Sequence, residues 1–172
     1  MKKINSLLLL SIFLFAACSS TDDQDSNLIE VGTYYADFEG LNLKEQATTL
    51  SDYIELDKYY LLEFWGVWCP YCTAEMDKLK EIRAAFDENQ LGIIGVSIPN
   101  KNSADTFLTE TKKYVTDHNL NWRHIMDLFR TSQREYGYER IPTFMLIGPD
   151  GKILENKISR ESLKETLKKY IK

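Results

Sequence analysis

The stretch Phe64-Trp-Gly-Val-Trp-Cys-Pro-Tyr-Cys72 holds two cysteines, spaced C-x-x-C, at the end of an apolar segment. That segment, residues 59–65 (YYLLEFW), is a nearly unbroken apolar run of strand length, which is typical of a central strand covered on both faces. Pro70 favours the first position of a helix, so Cys69 is predicted to be the N-cap and Cys72 to lie one turn in. A strand therefore ends and a helix begins at this motif.

The two cysteines are predicted to be chemically unequal. The sulfur of Cys69 would face free backbone N–H groups and the positive end of the helix dipole, both of which stabilise a thiolate. Cys72 lies on the apolar stripe of the helix and should be largely buried. An exposed thiolate that attacks a disulfide and an inner thiol that resolves the mixed disulfide are what dithiol exchange needs.

Outward from the motif, buried strands alternate with helices, which predicts an α/β fold. The predicted helices cover residues 70–89, 103–118 (capped by Ser103), 127–137 (opened by Asp127 and stopped by Gly137) and 160–172. The other predicted strands cover residues 34–38, 47–50, 91–98, 122–126, 143–147 and 152–158. The last two pair across the turn Gly148-Pro-Asp-Gly151, so the central sheet is mixed and carries an N-terminal β extension.

The N-terminus reads as an export signal. Two lysines precede an apolar run of 11 residues at 7–17, about half of the ~20 residues that a membrane-spanning helix needs. The run ends in Phe15-Ala-Ala-Cys18, which resembles a bacterial lipobox and implies lipidation of Cys18; a plain secretory signal or a buried N-terminal helix is the alternative. The predicted organisation is a signal peptide at 1–17, a lipidated cysteine and acidic tether at 18–30, and one domain at 31–172.

Cysteine count and charge exclude several classes of protein. Three cysteines are too few for a structural disulfide framework. The chain has 21 basic and 26 acidic residues; without Lys2 and Lys3 the balance is 19 against 26, a net charge of −7. This charge argues against nucleic acid as a partner.

The residues around the cysteines resemble those of a known family. The stretch 64–72 looks like the F-W-x-x-W-C-x-x-C of thioredoxin-like proteins, and Arg140-Ile-Pro-Thr143 resembles their second signature, in which a cis-proline faces the cysteines. Together with Thr49-Leu-Ser-Asp, these details are most similar to the exported, membrane-tethered TlpA/ResA group. The resemblance covers residues 31–172 and implies a thioredoxin fold with a helix–strand insertion, matched here by residues 103–126.

The resemblance also implies roles for individual residues. Cys69 matches the attacking cysteine, Cys72 the resolving one and Pro142 the cis-proline. Ile141, before that proline, would offer backbone groups to an extended substrate segment. The remaining substrate contacts are expected from the motif itself: Trp68, Pro70 and Tyr71.

Two acids are candidates for the proton chemistry of Cys72. Glu63 lies in the central strand, where thioredoxins keep a buried carboxylate. Glu75, three residues after Cys72, matches an acid that ResA-type proteins keep beside their cysteines. A buried carboxyl has a raised pKa and could take the proton from Cys72 as that thiol attacks. The alternative for Glu75 is an ordinary solvated charge.

The sequence leaves other functions open. Cys69 and Cys72 with His118 and His124 nominally make four zinc ligands, although 45 residues separate the two pairs. A copper-binding or copper-delivery module on the same fold would rely on His124. A peroxiredoxin would need Thr three residues before the reactive cysteine, where Gly66 stands.

The expected function is reduction of protein or apocytochrome disulfides by an exported lipoprotein. It needs no cofactor beyond the Cys69–Cys72 disulfide, and the family implies a membrane thiol protein as electron donor. The expected location is the periplasmic side of a bacterial membrane, the outer membrane by preference, with the cell surface open. The alternative is an oxidase, which would donate its disulfide to substrates and so transfer electrons in the opposite direction.

Overall fold

The computed structural model describes residues 27–101 and 105–172 and contains seven strands and five α-helices in those ranges. The strands are β1 (Glu39–Leu41), β2 (Ala47–Thr49), β3 (Tyr59–Trp65), β4 (Leu91–Ser97), β5 (Arg123–Met126), β6 (Thr143–Ile147) and β7 (Ile153–Ile158). The helices are α1 (Pro70–Thr73), α2 (Met76–Ala85), α3 (Phe107–Asp117), α4 (Thr131–Tyr136) and α5 (Leu163–Tyr170). This order confirms the predicted alternation of strands and helices.

All seven strands form one mixed sheet in the order β2-β1-β5-β4-β3-β6-β7. Strands β3, β4 and β5 are parallel, and β6 and β7 are antiparallel neighbours on one side. The predicted insertion supplies α3 and β5, and β5 joins the sheet between β4 and β1. The predicted mixed sheet, N-terminal β extension and inserted helix–strand unit are therefore confirmed.

Alternate residues of β3 enter two separate cores, one on each face of the sheet. Leu61 and Trp65 pack with Cys72 and the buried face of α2, while Phe64 packs on the opposite face. Glu63 lies between Leu61 and Trp65 in the strand, and side chains alternate in direction along a strand. Glu63 therefore points toward the face that carries the cysteines.

The predicted strand at residues 34–38 is wrong. Tyr34 forms only an isolated antiparallel bridge with Lys152, and the N-terminal hairpin is β1 with β2, a few residues further on. The carboxylate of Asp37 accepts hydrogen bonds from the backbone N–H and the hydroxyl of Ser51. This segment is thus held by single hydrogen bonds to distant parts of the chain rather than by a strand ladder.

The predicted helix at residues 70–89 is in fact two helices. The backbone N–H of Glu75 bonds to the carbonyl of Cys72 three residues back, so the first turn tightens and α2 begins anew at Met76. The second helix ends at Ala85, because Phe86 adopts an extended conformation. The cysteines consequently sit on a separate short helix.

The other helix boundaries also shift. Helix α3 begins at Phe107, and the predicted cap Ser103 lies outside the described residues. Helix α4 begins at Thr131 rather than at Asp127, although Asp127 still caps it through its side chain, and Gly137 ends it with φ 68° as predicted. Helix α5 is shorter than predicted at both ends. Within the described ranges, no helix is long and apolar enough to cross a membrane.

Candidate active site

The cysteine pair lies where β3 ends and α1 begins. Cys69 is the N-cap of α1, and its sulfur accepts a hydrogen bond from the backbone N–H of Cys72 at 3.2 Å. The two cysteines are joined as a disulfide, with their Cα atoms 5.2 Å apart. Cys72 is 0% exposed, as predicted, but Cys69 is only 5% exposed in this oxidised state. The expectation of an exposed Cys69 therefore holds only relative to its partner.

A cis-proline faces the disulfide. The Ile141–Pro142 peptide bond is cis, as predicted, and the carbonyl oxygen of Ile141 lies 3.7 Å from the sulfur of Cys69. Thr143 begins β6 directly after it, and its hydroxyl donates to the carbonyl of Arg140. Two segments that are 72 residues apart in sequence are thereby brought together at one sulfur.

Aromatic side chains border the disulfide. Trp68 is 40% exposed, and its indole N–H donates to the carbonyl of Ile98 at 2.9 Å; Tyr71 is 69% exposed. A Cβ built on Gly66 would lie 2.6 Å from the indole nitrogen of Trp68, so a larger residue at position 66 would displace that ring. Pro70 is exposed beside them. The structure thus brings Trp68, Pro70 and Tyr71 together at Cys69.

A cleft of about 360 Å³ opens along Cys69 and Ile141, and one wall of it was missed by the sequence analysis. That wall carries the charged or polar side chains of Arg130, Gln133, Glu139 and Arg140. The guanidinium of Arg130 donates to Gln133 and to the carbonyl of Pro99, and its backbone has φ 54°, which is uncommon for a residue with a side chain. No local sequence signal marks an arginine in that conformation.

Glu63 is fully buried below the cysteine motif. Its exposed fraction is 0%, and neither carboxylate oxygen has a hydrogen-bond partner among the residues described. Burial, and secondly the charge of Glu75, raise the pKa of Glu63 well above its ordinary value. A carboxyl in this position is a group that can hold or release a proton inside the protein.

Glu75 is in a different situation from the one expected. Its side chain is 13% exposed, and its carboxylate pairs with Arg160 at 3.2 Å and with Lys78 at 3.8 Å. Arg160 lies in the loop before α5, and its guanidinium also stands 5.9 Å from the ring centre of Tyr71. Glu75 is therefore neither a solvated charge nor a free acid; it is part of an ion-paired cluster beside the cysteine motif.

Residues 31–156 match the AhpC/TSA family, which is well over half of the 172 residues. The chain belongs to the AhpC/TSA family.

Several members and structural relatives are similar to it. A thiol-disulfide oxidoreductase ResA from Bacillus thuringiensis subsp. konkukian is 29% identical over 144 residues, covering 84% of this chain and 78% of the relative. A second ResA, from Bacillus cereus, is 29% identical over 178 residues, covering 99% of this chain and 97% of the relative. The thioredoxin domain of a thiol-disulfide oxidoreductase from Bacteroides vulgatus has a TM-score of 0.70 at 23% identity, covering 84% of this chain and 99% of that one.

These findings confirm three predictions about this AhpC/TSA family member. It has the thioredoxin fold, it resembles the TlpA/ResA group, and its enzyme class is thiol–disulfide oxidoreductase. The roles of the individual site residues and the domain boundaries remain predictions. Cys18, the predicted lipidation site, lies outside the described residues.

The two histidines of this family member are not brought together with the cysteines as a metal site. His118 is exposed and stacks on Tyr114 with ring centres 3.9 Å apart, whereas His124 is buried in β5. Among residues 27–101 and 105–172, no three His, Cys, Asp or Glu side chains are grouped as a metal ion would require. The zinc and copper alternatives gain no support from this arrangement.

Proposed function

We propose that this protein is an exported, membrane-tethered reductase of protein or apocytochrome disulfides, working through the Cys69/Cys72 dithiol. One observation carries the proposal: one sulfur borders an open cleft opposite a cis-proline, while the other is fully buried on the side of a buried carboxyl. That asymmetry separates an attacking sulfur from a resolving one.

The first step is attack by the Cys69 thiolate on a substrate disulfide. A bond forms between the sulfur of Cys69 and one substrate sulfur, and the other substrate sulfur leaves as a thiolate. The N-cap position favours the thiolate, because the backbone N–H of Cys72 donates to the Cys69 sulfur. The substrate segment would lie in the cleft against Ile141, with Trp68, Pro70 and Tyr71 at its edge.

The second step is resolution by Cys72. Its thiol loses a proton and its sulfur bonds to the sulfur of Cys69, so that the remaining substrate sulfur leaves as a thiolate and the enzyme becomes oxidised. Two electrons have then passed from the dithiol to the substrate. A membrane thiol protein is proposed to return them by the same exchange in reverse.

Glu63 is the stronger candidate to receive the proton of Cys72. Glu75 is the closer match to ResA-type proteins, but its carboxylate is engaged in ion pairs with Arg160 and Lys78. Glu63 has no such partner and has a raised pKa. Glu75 is proposed instead to position α1, the helix that begins at the cysteine motif, because Arg160 contacts both Glu75 and Tyr71.

The anchor and the location complete the proposal. A lipidated Cys18 followed by an acidic tether would hold the domain at the periplasmic side of a bacterial membrane, the outer membrane by preference, and cell-surface display is compatible with it. Two or three acyl chains anchor stably, since each buried methylene contributes about 0.8 kcal/mol. The N-terminal sequence, with its two lysines, apolar run and Cys18, supports this part of the proposal.

Peroxide reduction is not favoured as a second function. A threonine at position 66 would place its Cβ 2.6 Å from the indole nitrogen of Trp68 and 3.1 Å from the carbonyl oxygen of Ile98. The Trp68 ring would have to shift from its present position to accommodate it. The residues around Cys69 are thus built for a glycine at this position.

The proposal is tested by trapping substrates with Cys72→Ser. Attack by Cys69 then stops at a mixed disulfide, so secreted proteins or apocytochromes with C-x-x-C pairs should be captured covalently and released by dithiothreitol. Cys69→Ser is the matched control and should capture nothing. The copper module would be favoured instead by two results together: Cys72→Ser captures no protein, and the reduced wild-type protein binds copper tightly.

A further inference from the structure

Arg130, in one wall of the cleft at the disulfide, has a guanidinium that the fold holds in place. The guanidinium donates to the side-chain oxygen of Gln133 at 2.9 Å and to the backbone carbonyl of Pro99 at 2.6 Å. The carbonyl of the preceding residue, Ile98, accepts the indole N–H of Trp68. Carbonyls of two consecutive residues thus hold the arginine and the aromatic ring, and both side chains line the cleft.

The backbone of Arg130 adopts a left-handed conformation, with φ 54° and ψ 37°. In this region the Cβ crowds the backbone, so a residue other than glycine keeps it only where its surroundings fix it. Gln133 adds to that support, because its amide nitrogen donates to the carbonyl of Tyr138 and so orients the oxygen that Arg130 contacts. A ligand that binds this guanidinium therefore does not have to order it first.

Arg130 forms no ion pair with an acidic side chain in the part of the chain that the structure describes. A guanidinium has five N–H donors, and the two contacts above go to neutral oxygens. The side chain is half-buried, so its charge is less screened than that of a fully exposed arginine. Charged donors therefore remain for a ligand in the cleft.

The other charges that line the cleft leave it positive. Arg140 is exposed there without an ion pair to a described residue, and Glu139 is the one acid among the described lining residues. Glu75, an acid near the cysteine motif, is compensated by Arg160 and Lys78. The chain as a whole has more acids than bases, but charges more than about 8 Å away are largely screened at physiological salt. The cleft therefore favours an anionic ligand on an otherwise acidic protein.

We infer that Arg130 selects substrates by binding a carboxylate, so that the preferred substrates are protein segments with an acidic side chain within about two residues of the reactive cysteine. An extended segment whose cysteine meets Cys69 advances about 7 Å in two residues, and Arg130 borders the same cleft. Hydrogen bonds between a guanidinium and a carboxylate are about twice as strong as neutral ones. Arg130 is then a specificity-determining residue that takes no part in the sulfur exchange. The inference rests on the proposed function and gives its substrates a chemical class.

The test measures how fast the reduced, full chain attacks synthetic peptide disulfides. Each peptide has a single cysteine joined to mercaptoethanol, which is uncharged, and carries Glu, Gln or Lys at one of the two positions before or after that cysteine. Quenched-flow sampling gives the second-order rate constant for each peptide. The readout is the ratio of the rate constant of a Glu peptide to that of its Gln counterpart, because any general change in the reactivity of Cys69 cancels in it.

The expected wild-type ratio is about five at one position or more, the factor for a carboxylate pair at the upper end of the exposed range, and the Lys peptide should react slowest. Arg130→Gln should lower this ratio to between about one and two. Arg130→Lys, which keeps the charge but not the planar fork, should retain part of the preference. Glu139→Gln should raise the ratio, because a competing carboxylate is removed. High salt should lower the wild-type ratio.

Arg134→Gln is the matched control. Arg134 lies on α4 and its guanidinium donates to the carbonyl of Phe129, so it supports the same loop, but it is outside the described lining of the cleft. The substitution removes the same charge and should keep the wild-type ratio. A ratio lost equally in Arg134→Gln and Arg130→Gln would mean that the position of the loop matters, and not the guanidinium in the cleft, and would overturn the inference.

Two other results would overturn it. One is equal rate constants for Glu and Gln peptides at every position in wild type; the other is a wild-type ratio that persists in Arg130→Gln. Both leave the proposed function standing, because the peptides are still reduced. A reduced protein that attacks none of the peptide disulfides would instead overturn the proposed function, and this inference with it.

Discussion

At the scale of single residues, the two acids near the cysteines have opposite environments. Glu63 is buried without a partner among the described residues, and Glu75 is paired with two cations. A carboxyl without partners in a dry site favours its neutral form, and burial accordingly raises the pKa of Glu63. The two acids must therefore respond differently to substitution.

Stability should depend on pH through Glu63. Its folded-state pKa lies above the unfolded value near 4.5, so the folded chain holds the proton longer than the unfolded chain as pH rises. The stability linked to this proton is complete below about pH 4.5 and is lost as pH rises through the folded pKa. The free energy of unfolding of Glu63→Gln should equal that of wild type at pH 4.5 and exceed it at pH 8. The excess should be about 1.4 kcal/mol for each unit by which the folded pKa of Glu63 lies above the unfolded one, up to pH 8. Guanidinium unfolding at both pH values measures this.

The exposed Glu81, on helix α2, provides the control for that measurement. Glu81→Gln should leave the pH dependence of stability unchanged. If Glu63→Gln changes stability equally at both pH values, folding does not raise the pKa of Glu63 and the assignment is wrong.

The kinetic roles of the two acids are separable by single-turnover exchange. Glu63→Gln should slow resolution by Cys72 at neutral pH by about 100-fold, the lower end of the usual contribution of a positioned base, while the first attack by Cys69 stays nearly unchanged. Glu75→Gln should affect both steps modestly, because it loosens Arg160 from the cysteine helix. Equal resolution rates in wild type and both variants would remove the carboxylates from the mechanism.

At the scale of secondary-structure elements, the wall of the cleft depends on one helix cap. Asp127 is 1% exposed, and its carboxylate accepts from the backbone N–H groups of Thr131 and Ser132 and from the Ser132 hydroxyl at 2.6–2.9 Å. These bonds hold the start of α4, which carries Gln133 into the cleft. The element is only six residues long and would not be stable alone.

Asp127→Ala should therefore destabilise the protein by about 2–3 kcal/mol, because charge-assisted bonds to two backbone N–H groups are lost at a buried site. Asp127→Asn, which keeps one acceptor oxygen, should cost clearly less. Urea denaturation with an unchanged m-value measures both. Equal losses in the two variants would mean that one acceptor oxygen is not enough to cap the helix, and an unchanged stability of Asp127→Ala would contradict the cap itself.

At the scale of the whole molecule, the reduction potential of the cysteine pair decides whether the protein reduces disulfides or donates them. When Glu63 is ionised, its charge should disfavour a thiolate nearby, which destabilises the reduced dithiol relative to the disulfide and lowers the reduction potential. Tyr71 supplies no positive charge inside the C-x-x-C, unlike the His that strong oxidants often carry there. The charge of Glu75 contributes less than expected, because Arg160 and Lys78 compensate it.

We predict a reduction potential below about −200 mV, in the range of reductants rather than of disulfide donors near −120 mV. Equilibration with glutathione buffers measures the potential, since 30 mV corresponds to about 1.4 kcal/mol. The protein in cells should then be mostly reduced. A potential above about −150 mV with a mainly oxidised protein in cells would make it an oxidase.

The anchor is the second prediction at this scale. Cys18→Ser should remove the acceptor of the lipid, so the protein should leave the membrane fraction and lose labelling by a fatty-acid probe. Ser19→Ala, next to it, is the matched control and should stay in the membrane fraction. An unchanged membrane fraction for Cys18→Ser would contradict the lipoprotein prediction.

The features that the sequence determined are those encoded by neighbouring residues. The apolar run before Cys69, the proline after it and the turn residues at 148–151 specify a strand, a helix start and a hairpin by local sterics and apolar periodicity. These signals were enough to predict the α/β order, the N-cap role of Cys69 and the burial of Cys72. The cis state of Pro142 was available only through the family resemblance.

The features that only the tertiary structure decided depend on residues far apart in the chain. Arg160 meets Glu75 across 85 positions, and Glu63 and His124 share a row only because β3, β4 and β5 align through Gly95. Arg130 lines the cleft from a backbone conformation with φ 54°, which its local sequence does not predict. Such contacts are set by strand register and packing, which local periodicity does not encode. The sequence therefore located the cysteine pair, and the packing decided that Glu63 is buried without a hydrogen-bond partner among the described residues whereas Glu75 is ion-paired.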